Sequence, residues 1–155
     1  MKGVAIYHSR WGNCRQVAEA VARGLEETGH EVTLADAGSE KALEGEPDFL
    51  LVGSPTRIGK MTGPVRRFIK KAVPDTWDGK PFAAFGTGLK SAIDSSEPNS
   101  ADGIHQALIA KGLKPIAPVF KARVEELKGP LVDGELELAL QFGKDAGASL
   151  LGDRR

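Results

Sequence analysis

Cysteine is nearly absent from this sequence. A single residue, Cys14, among 155 excludes an intrachain disulfide framework, a four-thiolate iron–sulfur cluster and a structural zinc site built on paired cysteines. A reducing, cytoplasmic setting is the expectation that follows. An excess of either charge is missing as well. Lys plus Arg and Asp plus Glu total 21 each, so no overall basic field draws nucleic acid and no acidic excess points to disorder. Partners must therefore be argued from sites. Long apolar runs are also lacking. Nowhere do the roughly 18 consecutive apolar residues of a membrane span occur, and the apolar stretch in MKGVAIYHSR is too short for a signal peptide's hydrophobic region. Neither a membrane nor a nucleic-acid partner is expected. With no repeat, low-complexity tract or linker, 155 residues at 41% hydrophobic content suit one domain, residues 1–155, with a real core.

What is present is an alternation. Five strand-like runs rich in Val, Ile and Phe are separated by amphipathic stretches: GVAIYH (Gly3 to His8), EVTLAD (Glu31 to Asp36), DFLLVGS (Asp48 to Ser54), KPFAAFGT (Lys80 to Thr87) and KPIAPVF (Lys114 to Phe120). That order predicts a parallel sheet covered by helices on both faces. The third run, nearly continuous in apolar residues, reads as a strand buried on both sides. After Asn13, the expected N-cap, Val17, Val21 and Leu25 fall four apart, Glu19 can pair with Arg23, and Gly29 closes the helix. GPVRRFIKKA turns Val65, Phe68 and Ile69 inward, and ADGIHQALIAK follows Ser100 and stops at Gly112. GELELALQFGKDAGASLL offers Leu136, Leu140 and Phe142 for burial, and SEKALEG is expected as one turn of helix. Two connections are long, Gly86 to Ser100 and Lys121 to Asp133. The first leaves the carboxyl end of a strand, where open α/β sheets place their ligands, and is the candidate functional loop.

Several nucleotide-binding patterns fail on spacing. GSPTRIGKM has five residues rather than four between Gly53 and Gly59, and Met61 stands where a P-loop needs a hydroxyl for magnesium. The first strand-to-helix turn holds only Gly12, so the dinucleotide fingerprint is absent, and Gly86-Thr87-Gly88 is a fragment in the wrong unit. A phosphoacceptor receiver would need acidic residues where Tyr7-His8-Ser9 and Gly53-Ser54 stand. HSRWGNC, His8 to Cys14, survives this sieve. Backbone amides turning into a helix N-terminus converge on an anion, with roughly half a positive charge from the helix dipole. Ser9 and Asn13 add side-chain donors, and Gly12 lets the backbone approach closely. On these residues alone the stretch is an anion cradle or a capped turn.

Ser9-Arg10-Trp11-Gly12-Asn13-Cys14 resembles the FMN-phosphate loop of flavodoxins, T/S-x-T/x-G-N-T. Gly53-Ser54-Pro55-Thr56-Arg57-Ile58-Gly59-Lys60-Met61 resembles the flavin-contacting loop of flavodoxin-like proteins, including the P-T-R-F-G-N-M form in flavodoxin-like NAD(P)H:quinone reductases. Phe85-Gly86-Thr87-Gly88 is similar to their loop after strand four, and Gly134-Glu135-Leu136 with Phe142-Gly143-Lys144 to their closing helix. The resemblance implies a flavodoxin-like three-layer α/β/α sandwich with a five-stranded parallel sheet in the order 2-1-3-4-5. It implies FMN over the carboxyl edge: phosphate on Ser9 through Cys14, the ring edge along Pro55, Thr56, Arg57, Ile58 and Gly59, and its other side against Gly86, Thr87, Gly88 and Leu89. Gly59 is the candidate hinge for a peptide that meets flavin N5. The implied function is electron transfer between a reductase and a redox partner protein. An FMN-dependent NAD(P)H:quinone oxidoreductase is the alternative, and a flavodoxin-like module that has lost FMN is the third.

This sequence also departs from the family pattern. Cys14 replaces a threonine, exchanging a hydroxyl for a weak S–H donor; a helix N-terminus favours its thiolate and a neighbouring phosphate opposes it. The aromatics that sandwich the flavin are missing from the second and third loops, while Trp11 either offers a surface near the ligand or packs on the protein itself. Arg10, Arg57 and Lys60 stand in the loops. Unless they pair elsewhere, they favour an anionic reduced flavin and raise the potential relative to acidic flavodoxins. His8, His30 and His105 are too dispersed for a metal site, with His30 and His105 expected at the surface and His8 structural. No catalytic residue is assigned, so the flavin would carry any chemistry.

Overall fold

A strand that is apolar at successive positions needs cover on both faces. In the computed structural model of the chain, which describes residues 1–39, 43 and 45–152, β3 (Phe49–Pro55) is buried from Phe49 to Ser54. It lies between β1 (Lys2–Tyr7) and β4 (Pro81–Leu89), with β2 (Glu31–Asp36) beyond β1. All strand pairings are parallel, as the alternation of strands and helices led us to expect, and the order β2-β1-β3-β4-β5 is the one the flavodoxin resemblance implied.

The two faces of the sheet follow the period of two along each strand. Ala5, Leu51, Ala83 and Phe85 point to one side, where α1 (Asn13–Glu27) and α5 (Glu135–Gly152) bring Val17, Val21, Leu25, Ala139, Phe142 and Leu150. Ile6, Leu50, Val52, Phe82 and Ala84 point to the other, against Val65, Phe68 and Ile69 of α2 (Gly63–Ala72) and Ile104 and Leu108 of α4 (Ser100–Ala110).

The fifth strand differs from the expected Lys114 to Phe120. It is broken into β5 (Lys114–Pro115) and a sixth element, β6 (Phe120–Val124), both paired with β4. Between the Phe82–Pro115 and Phe85–Phe120 pairs, β4 advances three residues and its partner five. Pro115 and Pro118 have no amide hydrogen to give the ladder there. Pairing then resumes up to Leu89–Val124, so residues expected in a loop become strand and reach the carboxyl edge. The long connection after β4 is also shorter than it reads, because β4 extends to Leu89 and α3 (Lys90–Asp94) occupies part of the loop.

Other local expectations shift with tertiary contacts. Gly12, not Asn13, is the N-cap of α1, with φ 93°. The inward stripe of α5 runs through Glu135, Ala139, Phe142, Ala146 and Leu150, leaving Leu136 exposed. Glu135 is buried and accepts from Arg123 Nε at 2.7 Å; that bond and its charge raise the Arg123 pKa further above its ordinary value. His30 is buried rather than superficial, its Nε2 3.0 Å from the Gly147 carbonyl and its ring edge-on to Phe49. His105 is half-buried against Phe82, with Nδ1 unpartnered among the described residues. The turn of helix expected over SEKALEG falls largely outside the described residues.

Candidate functional site

The loops leaving β1, β3, β4 and β6 enclose a cleft of about 720 Å³ at the carboxyl edge of the sheet. It brings together Ser9, Arg10, Trp11, Asn13, Cys14, Pro55, Thr56, Arg57, Ile58, Gly59, Thr87, Gly88 and Leu89. Gly12 and Gly86 are not on its wall. They act behind it, in the turn and in the packing.

The first loop is held by its own serine. Ser9 Oγ accepts from the amides of Gly12 at 3.1 Å and Arg15 at 3.3 Å. Gly12 takes the left-handed conformation that turns the chain into α1, a conformation unfavourable to side-chain-bearing residues. The next two orphan donors of the helix, the amides of Asn13 and Cys14, have no protein acceptor among the described residues. They leave two free amide donors at a helix N-terminus open on the cleft. Asn13 Nδ2 donates to the Lys128 carbonyl at 3.1 Å, so one of its donors anchors the β6–α5 loop instead. Cys14 is 1% exposed, and burial pushes its thiol well above the ordinary thiol range. Desolvation therefore outweighs the helix N-terminus, and the side chain stays neutral. Trp11 is 40% exposed, with the Arg10 guanidinium 5.0 Å over its ring.

The second loop is a tight hairpin. Arg57 and Lys60 exchange backbone hydrogen bonds of 2.8 and 3.0 Å across Ile58 and Gly59, whose φ values are 51° and 73°. Two positive φ angles define a turn that favours Asn-Gly, yet here a β-branched residue holds the first position. Ile58 is 92% exposed. The base of the loop is rigid by comparison: Ser54 Oγ accepts from the Thr62 amide at 2.9 Å and donates to the Pro55 carbonyl at 2.7 Å. His8 Nδ1 lies 2.8 Å from Thr62 Oγ1, so His8 braces this loop.

The third loop is locked by Ser100. Its Oγ donates to the Ser54 carbonyl at 2.7 Å and accepts from Thr56 Oγ1 at 3.0 Å, while its amide donates to Thr56 Oγ1 at 3.0 Å. A Cβ on Gly86 would lie 2.2 Å from Ser100 Oγ, so glycine is what allows α4 to come this close. Asn99 caps α4: its Oδ1 accepts from the Ala101 amide at 3.0 Å, and its own amide donates to Asp102 Oδ2 at 3.1 Å. Asn99 is 3% exposed and lines the cleft, and its Nδ2 makes no hydrogen bond among the described residues.

Beyond the expected residues, the wall includes Lys60, Ala92, Ile93, Glu97, Pro98, Asn99, Val124 and Leu127. Asn99 and Asp102 before an apolar run form a readable capping box. Val124 and Leu127 carried no signal, because the break in the fifth strand hid their position. An adjoining hollow of about 570 Å³ shares Arg10, Arg57 and Lys60 and adds His8, Met61, Thr62 and Arg66. Among the described residues none of these cations pairs with a carboxylate, and no group of His, Cys, Asp and Glu could hold a metal ion. No helix among them is long and apolar enough to cross a membrane.

A doubly wound parallel α/β sheet in the order β2-β1-β3-β4-β5, with a cleft beyond the carboxyl ends of its strands, is the flavodoxin class of fold. The chain belongs to the flavodoxin domain family, whose model matches residues 4–115. It is 38% identical over 93 residues to a flavodoxin of Aquifex aeolicus strain VF5, covering 56% of this chain and 49% of that one. Over 90 residues it is 34% identical to an NAD(P)H dehydrogenase (quinone) of Acidithiobacillus ferrooxidans, covering 44% of this chain and 45% of the other. The chain thus spans about half the length of these curated relatives. A solved flavodoxin from the domain Archaea shares the fold with a TM-score of 0.78, covering 97% of this chain and 99% of that one at 23% identity.

Proposed function

We propose that the chain binds FMN in this cleft and carries electrons between a reductase and a redox partner protein, as a single cytoplasmic domain. The observation that carries this reading is the pair of open amides on Asn13 and Cys14, at the end of a glycine turn that faces a cleft of about 720 Å³. Those amides and the Ser9 hydroxyl would hold the phosphate. Pro55 through Gly59 would follow the ring edge, Thr87 through Leu89 would border its other side, and the unpaired Asn99 Nδ2 would donate to a ring carbonyl. Ala92 and Ile93 give apolar cover where stacking aromatics are missing from the loops. When bound, the flavin supplies reversible one- and two-electron chemistry; the protein supplies grip, orientation and charge.

Visible absorption before and after addition of FMN tests the reading. A flavin band that survives desalting is the expected result, and a preparation that stays colourless at saturating FMN would sink it and favour a module without cofactor. A second reading, an FMN-dependent NAD(P)H:quinone oxidoreductase, draws on the adjoining hollow with Arg10, Arg57, Lys60 and Arg66 and on the quinone-dehydrogenase relative. Oxidation of NADH or NADPH by a quinone without any added reductase would select it.

A further inference from the structure

Charge is sorted on this molecule. Arg10, Arg57, Lys60 and Arg66 line the cleft and the hollow beside it against one carboxylate, Glu97, in a chain whose 21 basic residues are matched by 21 acidic ones. Several cations elsewhere are neutralised, as Lys80 is by Glu46, Lys121 by Asp102 and Arg123 by Glu135. The four at the mouth have no such partner among the described residues. Arg67, Lys70 and Lys71 continue the same sign on the exposed side of α2. A one-sign rim around a concave mouth concentrates partners of opposite charge and accelerates their encounter.

Exposed apolar side chains meet at the same mouth. Trp11, Ile58 and Leu127, exposed by 40%, 92% and 63%, line both hollows. Ile58 stands in water on a backbone with φ 51°, where Asn or Gly would sit without strain. Neither exposure nor strain helps the isolated chain, and strain held at a loop tip points to use there. An apolar centre within a charged rim is the anatomy of a protein interface.

We propose that this mouth is the docking surface for an acidic redox protein, with Ile58, Trp11 and Leu127 as its contact centre and Arg10, Arg57, Lys60 and Arg66 as its steering rim. The electron step rests on the FMN reading, whereas the docking does not. With FMN bound, one electron would pass from the reduced partner, which is oxidised, to the flavin, which is reduced; no bond forms between the proteins.

The probes are an acidic plant-type [2Fe–2S] ferredoxin and basic cytochrome c. Each is titrated calorimetrically against the chain with and without FMN at about 20 and 300 mM salt, where screening lengths differ several-fold, and reduced ferredoxin is mixed with the FMN-loaded chain by stopped flow. Ferredoxin should bind at low salt and lose at least about ten-fold in association rate at high salt, while cytochrome c should not bind. Arg66→Glu combined with Lys70→Glu should reproduce the loss at low salt. Ile58→Asn should raise the unfolding midpoint and speed ferredoxin dissociation, opposite changes that a purely structural role would not produce. A preference for cytochrome c, ferredoxin binding indifferent to salt, or Ile58→Asn docking like wild type would overturn the proposal. A colourless chain that still binds ferredoxin in a salt-dependent way would remove the flavin reading alone; a flavin-loaded chain that ignores ferredoxin would remove the docking surface alone.

Discussion

Replacing Gly86 with alanine tests how the third loop is built. The added Cβ would lie 2.2 Å from Ser100 Oγ, 2.7 Å from Asn99 Oδ1 and 3.0 Å from the Ser54 carbonyl. Ser54 cannot yield, since it sits in β3 within the β3–β4 ladder. Relief must come from Ser100 and Asn99, which begin α4. Moving Ser100 forfeits the bonds to Ser54 and Thr56, worth about 1 kcal/mol each, and drawing Asn99 back weakens a cap worth about 1 kcal/mol. Alanine returns about 0.5–1 kcal/mol by restricting the unfolded chain. The net expectation is a loss of roughly 2–2.5 kcal/mol, within the usual range for overpacking plus broken buried bonds. Urea unfolding followed by circular dichroism reads it directly. Gly152→Ala, on the exposed last turn of α5 where a new Cβ meets nothing within 4 Å, is the control and should destabilise by no more than about 0.5 kcal/mol. Ser100→Ala in the Gly86→Ala background should cost less than the sum of the two changes, because the closest clash has been removed. If Gly86→Ala unfolds like the control, α4 is not held against β4 by this contact.

Three further changes probe the site. Cys14 stays neutral in the fold while the unfolded chain ionises near its ordinary value of 9.0. A folded pKa raised above the unfolded one makes the stability contribution complete below about pH 8 and loses it as pH rises, by up to about 1.4 kcal/mol per pH unit. Cys14→Ala should flatten that slope between pH 7 and 10, and parallel curves for the two proteins would count against the burial argument. Asn99→Ser keeps an oxygen to cap α4 but removes the Nδ2 donor, so FMN should bind about three- to ten-fold more weakly while stability changes by less than about 1 kcal/mol; equal affinity would remove Asn99 from the site. Arg57→Ala should shift the flavin's one-electron midpoint potential negative by roughly 20–30 mV, the worth of one exposed nearby charge in a water-like medium; an unchanged potential would mean that the side chain does not act on the flavin.

The strands were legible where the chain is apolar and unbroken. EVTLAD matches β2 residue for residue, and β1, β3 and β4 differ from expectation only at their ends. The fifth was misread because an apolar run with two prolines still looks like one strand, whereas the ladder needs their missing amides and pairs Phe120–Val124 instead. The same break determined what could be seen of the site. Val124 and Leu127 sit in the cleft because pairing resumes after the interruption, which no local pattern records. The protonation state of Cys14 was left open for a related reason. A helix N-terminus favours a thiolate by a rule that can be applied to sequence, but the burial that overrides it at Cys14 depends on α5 and the sheet closing over that face. Leu136 and Glu135 exchange their expected places because an ion pair with Arg123 on another strand rewards turning a carboxylate inward. Periodicity therefore located the loops that carry the cleft-facing residues. Which atoms in those loops remain free to bind, the Asn13 and Cys14 amides and Asn99 Nδ2, is decided by partners far away in the chain, and only the assembled fold shows which donors are already spent.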